Sequence, residues 1–105
     1  MELHAIFKRR RGFCEDLMVV KYSNLFTAIN PINHEPVTIL VERIEAEGFQ
    51  AVHIESLEGE YPSTEDFERE RDARNGKIYT FLPLMPSDAR RLVEALTEAL
   101  PASEA

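Results

Sequence analysis

One cysteine, four glycines and no long apolar run define this chain of 105 residues by what it lacks. With Cys14 alone, the chain can build neither an internal disulfide nor a multi-thiolate metal site, and a reducing compartment suits it. The glycines at 12, 48, 59 and 76 begin no phosphate-cradling motif, which argues against nucleotide chemistry. No stretch approaches the roughly 18 apolar residues that cross a bilayer, and the first residues lack the basic, apolar, small-residue order of a signal peptide. The expectation is a soluble, cytoplasmic protein without a membrane partner. Basic residues are also in deficit: twelve Lys and Arg stand against nineteen Asp and Glu, for a formal charge of −7. General binding to DNA or to an anionic surface needs the opposite balance.

What is present is enough for one core. Apolar residues make up 44% of the chain, and about 100 residues is an ordinary size for one hydrophobic centre. The expected organisation is a single α+β domain over residues 1–100 with a frayed tail at 101–105.

Leu3, Ala5 and Phe7 alternate with His4, Ile6 and Lys8, and Leu17 to Tyr22 is rich in Val, so two strands are expected. Lys8-Arg9-Arg10-Arg11-Gly12 between them reads as an exposed hairpin tip, and Leu25 to Ile29 as a third short strand. Val37, Leu40, Val41 and Ile44 then fall at i, i+3, i+4 and i+7, which predicts a helix with Asn33 as N-cap, Pro36 in its first turn and Gly48 at C′. A strand follows over Val52 to Glu55.

From Glu55 to Asp72 acids stand at 55, 58, 60, 65, 66, 68, 70 and 72 against Arg69 and Arg71 alone. Ser63 or Thr64 can cap a short helix here, with Glu65–Arg69 and Glu70–Arg74 spaced for i,i+4 pairs and Phe67 and Ala73 as anchors; the segment reads as a solvated surface helix or a mobile loop, the helix being favoured. Asn75-Gly76 closes it with a turn. Lys77 to Leu84 is apolar on both sides, like a central strand. The final helix is expected to start at Ser87 and to bury Ala89, Leu92, Val93, Leu96 and Leu100, so that Leu92→Asp would prevent folding. The predicted order is β-β-(β)-α-β-(α)-β-α: an antiparallel sheet of four to five strands with helices packed on one face.

The chemistry-bearing residues are sparse. His4, His34 and His53 share no HxH or HExxH spacing; His4 and His53 could converge with Glu55 only if their strands were neighbours. Cys14 follows a cationic turn, but Glu15 and Asp16 offset that charge and no base can be assigned to it. No catalytic residue, metal or cofactor follows from these patterns, and an enzyme is not expected.

Two surfaces remain. The acidic segment, with Glu58, Glu60, Glu65, Asp66, Phe67, Glu68 and Glu70, suits a protein partner with a basic surface. Tyr79 and Phe81 would form an uncovered sheet face for a partner or a second subunit, so a homodimer is expected. The leading reading is a non-catalytic protein-interaction or regulatory domain. One alternative is nucleic-acid binding by Lys8, Arg9, Arg10 and Arg11, flanked by Phe7 and Phe13, although the whole-chain charge opposes it. The other is a small-molecule or enzymatic cleft between the sheet and the last helix.

Overall fold

The computed structural model describes residues 4–7 and 17–102, with side chains from 18 to 102. The Lys8 to Arg11 tip and Cys14 lie outside the described residues. Five strands form one antiparallel sheet in sequence order: β1 (His4–Phe7), β2 (Leu17–Ile29), β3 (Pro36–Ala46), β4 (Phe49–Glu58) and β5 (Tyr79–Leu84). Helix α1 (Thr64–Ala73) connects β4 to β5, and α2 (Pro86–Ala99) follows β5. The chain is thus a single small α+β domain built on an antiparallel sheet.

The expected helix over Val37 to Ile44 is instead β3, the central strand. Val37, Thr38, Ile39 and Val41 are β-branched, a side-chain shape that suits a pleated surface better than a helical turn. The residues that resembled helix signals belong to hairpins. Asn33 Oδ1 accepts from the Glu35 amide at 2.9 Å and Asn30 Oδ1 from the Ile32 amide at 2.8 Å, so these side chains shape the 30–35 loop. Pro36 stands at the first position of its strand, where a missing N–H is tolerated. Gly48, with φ of 89°, serves a two-residue turn between the paired Ala46 and Phe49.

Strand β2 joins the two strands expected over 17–29. A register shift between Val20 and Tyr22 places Val20 opposite Ile44 but Tyr22 opposite Arg43. This bulge at Lys21 reverses the alternation, so that Val20 before it and Leu25 and Thr27 after it share one face. That inner face continues with Thr38, Leu40, Glu42 and Ile44 on β3 and Ala51, His53, Glu55 and Leu57 on β4, all eight buried.

Helix α1 lies over this face. Ser63, in extended backbone, accepts the Asp66 amide on its side chain, as an N-cap should. Phe67 is fully buried against Leu40 and Leu57, with Leu25, Tyr61 and Tyr79 around them. Tyr61 meets the Phe67 ring edge-on at 6.2 Å and donates its hydroxyl to the Glu58 carbonyl at 2.8 Å. Gly59, at φ of 112°, lets that ring close in, since a Cβ there would lie 2.6 Å from the Tyr61 oxygen.

Helix α2 departs from expectation. Its N-cap is Met85 with Pro86 in the first turn, so Ser87 sits inside the helix. None of its residues is buried: Val93, Leu96 and Leu100 are 62%, 57% and 61% exposed. The amphipathic stripe exists, with Ala89 and Leu92 half-buried, but among the described residues none of it is part of the buried core. No helix among the described residues is long and apolar enough to cross a membrane.

Candidate functional site

The strand register brings together a polar group that the sequence showed only in part. Glu42 pairs opposite His53, and Glu55 lies two residues further along β4 on the same inner face. All three are buried, and one donor atom from each lies within 4.8 Å of the others. Phe67 and Arg71 are i and i+4 on α1, so seating Phe67 in the core aims Arg71 at the sheet. Arg71 Nη1 reaches Glu55 Oε1 at 3.1 Å, and the Tyr79 hydroxyl donates to the same oxygen at 3.1 Å. The His53 ring stands edge-on to Phe81 at 5.0 Å, and Arg74, just beyond α1, covers the Tyr79 ring at 4.8 Å.

The electrostatics follow from that packing. Burial works against the Arg71 charge, but the Glu55 carboxylate beside it, with Asp72 adding, outweighs this and holds the guanidinium above its ordinary pKa. Carboxylate, imidazole and carboxylate are a donor set that suits a divalent cation or a proton relay. Here the Arg71 guanidinium already brings positive charge to Glu55.

Of these residues, His53 and Glu55 were expected on one strand face, and they share it. His4 does not join them, since β1 lies three strands from β4. Glu42 was hidden by the helical reading of its segment. The available signal was a lone acid between Leu40 and Ile44 at strand spacing. Arg71 was read only as a counter-charge in an acidic run.

The acidic segment divides. Glu58, Glu60 and Glu65 are exposed, whereas Phe67 is part of the core. Asp66 accepts from Ser63 at 2.9 Å and from Arg69 at 2.8 Å; both bonds, Ser63 first, hold its carboxyl below the ordinary value. Lys77 reaches Glu70 at 2.8 Å and lowers that carboxyl in the same way. Glu68 is part-exposed on the same helix. The expected i,i+4 pairs are thus replaced by the i,i+3 Asp66–Arg69 pair and by Glu70 reaching Lys77 beyond the helix.

Tyr79 and Phe81 face inward, opposite the buried Leu57 and Glu55, so they are not the open side of β5. The other side is open. Ile78, just before β5, is 65% exposed and Leu82 46%, and Phe26 on β2 is 49% exposed. Ile39, Val41 and Ile54 lie between them on the outer sheet face and are half-buried. A depression of about 680 Å³ opens beside the 30–36 loop, Glu58, Lys77 and Ile78, and a second lies by Phe26 and Tyr61; neither is lined by α2. The cleft expected between sheet and last helix is at neither place.

Comparison of the chain with models of protein families, with curated proteins and with solved structures finds no match.

Proposed function

We propose that this chain is a non-catalytic protein-interaction domain that uses its outer sheet face and the apolar stripe of α2 as contact surfaces. The observation that carries this reading is an imbalance in burial. Among the described residues only six apolar side chains are buried, whereas eleven large ones are exposed by 46% or more. Scattered exposed apolar residues are ordinary; a sheet face and a helix stripe that are both this exposed among the described residues are not. The radius of gyration, 15.0 Å, points the same way, since a compact domain of this length has about 13 Å.

The surface around α1, with five acids against two arginines in the helix, adds net negative charge on the opposite side, which would steer a basic partner and add on-rate more than affinity. The single cysteine supports a reducing, cytoplasmic setting.

The test compares wild type with Phe26→Asp and with Leu96→Asp, each checked for native circular dichroism. Solution mass is measured for the pure protein and after incubation with host lysate. Association that wild type shows and at least one variant loses supports the reading. A wild-type monomer that retains no protein overturns it.

A further inference from the structure

We infer that the occupant of the outer sheet face is a second copy of this chain, stacked face to face with its strands running the opposite way, so that Arg43 of each copy reaches Glu58 of the other. This rests on the interaction reading and names its partner.

The argument starts from the distribution of charge. The chain carries −7, yet its acidic helix α1 lies over the inner face. Among the described residues of the outer face the charges nearly cancel: Lys21 meets Glu45 at 3.8 Å, which leaves Arg43 towards one end and Glu58 at the other. Both are exposed. In the register, Arg43 pairs with Val52 and Glu58 with Val37, so six residues along each strand, which is three same-face steps, separate their rows.

Between those rows stand Ile39, Val41 and Ile54, with Phe26 and Leu82 on the neighbouring strands. A two-fold axis in the plane between two such faces, crossing the strands midway, superposes the Arg43 row of one copy on the Glu58 row of the other. Symmetry then makes the pairing twice. The apolar centre meets its own copy, and the strands cross at the small angle typical of aligned sheet packing. Glu58 already accepts the Ile78 amide at 3.3 Å on one oxygen, and a carboxylate has further lone pairs for a guanidinium.

Size and edge chemistry agree with this choice. Four strands about 4.8 Å apart and about eight residues long make a face of roughly 500 Å² in projection. With side-chain relief that is of the order of the 800 Å² per partner in a standard interface. Pairing through the β5 edge is disfavoured, because Pro83 offers no N–H there. Stacking the outer faces also keeps the acidic helices on the far sides of the pair, where their mutual repulsion is screened.

The experiment is sedimentation equilibrium on wild type, Arg43→Glu, Glu58→Arg and the double exchange, with a thermal melt of each. Wild type is expected to be a dimer. Each single exchange sets like charges together twice and should weaken it at least tenfold, and the double exchange should restore it to within a few fold. Glu58→Gln keeps an acceptor for the Ile78 amide while removing the charge, and should weaken the dimer without altering the melt at dilution. A dimer indifferent to all four changes overturns the stacking. A monomeric wild type overturns the second-copy partner, and retention of another protein by that monomer, lost in Phe26→Asp, leaves the broader interaction reading standing.

Discussion

Arg71 and Glu55 meet at 3.1 Å beneath α1, the carboxylate fully buried and the arginine side chain 14% exposed. Their pairing fastens the helix to the sheet from its second turn onward. Such a pair gains little over apolar residues of the same shape, yet removing one member deprives the other, in a poor solvent, of its counter-charge across the helix–sheet contact, with Asp72 at 3.2 Å still beside Arg71 and the Tyr79 hydroxyl still on Glu55.

Glu55→Gln and Arg71→Met should therefore each cost about 3 to 5 kcal/mol of unfolding free energy. Glu55→Gln also weakens the acceptor of the Tyr79 hydroxyl. Glu55→Leu with Arg71→Met should recover most of the loss, because neither charge of the pair then remains without the other. Urea unfolding of the three variants measures this, and a double variant no better than the worse single would show that the pair does not act as a unit.

Ser63→Ala tests the start of the same helix. The Ser63 hydroxyl accepts the Asp66 amide at 3.1 Å and donates to the Asp66 carboxylate at 2.9 Å. Its loss should lower stability by about 1 kcal/mol, the usual worth of an N-cap. Ser63→Asp should be close to neutral for the cap but should raise the Asp66 pKa by placing like charge beside it.

Acid should loosen α1 early. Ser63 and Arg69 hold Asp66 below its ordinary 3.8, and Lys77 holds Glu70 below 4.5. A carboxyl lowered on folding adds stability that is complete above its unfolded value and is lost as pH falls through the folded value. The melting temperature should thus hold steady near neutrality and drop below about pH 4.5 as these groups take up protons. Asp66→Asn and Glu70→Gln should start lower and show a shallower acid slope. Thermal melts across that range read both effects.

How much of this was legible depended on whether a segment had one structural reading or two. The 79–84 strand rested on a local signal with a single reading, and the 64–73 helix, open in sequence between helix and loop and between Ser63 and Thr64 as cap, was favoured by its capping residues and its Phe67 anchor. Segment 36–46 had two. Val37, Leu40, Val41 and Ile44 fit helical spacing, while Leu40, Glu42 and Ile44 fit a strand whose two sides are both largely apolar, and Gly48 serves a helix end or a hairpin turn equally well. Only pairing with β2 and β4, a non-local fact, decides between them. The same ambiguity hid Glu42, and with it the Glu42–His53–Glu55 group. The inner and outer sides of β5 were likewise symmetric in composition, since Tyr79 and Phe81 alternate with Ile78 and Leu82. Their assignment came from α1, whose Phe67 and Arg71 select the face they cover.

The final helix gives the clearest separation of folding from association. Its stripe of Ala89, Leu92, Val93, Leu96 and Leu100 would be a core face in a closed domain, and Leu92→Asp would then abolish folding. In the structure Leu92 is only half-buried and its apolar neighbours further along are exposed, so no desolvated site awaits the charge. Leu92→Asp should still melt cooperatively, losing about 1 to 2 kcal/mol. Leu96→Asp should cost less than about 1 kcal/mol, mainly from helix propensity and from an acid placed near the negative end of the helix dipole. Both variants should lose any association made through α2, because a carboxylate would then be carried into an apolar contact. Calorimetry at low concentration reads the first effect and sedimentation at high concentration the second. Concerted loss of folding and association would mean that the domain acquires its core only on binding its partner.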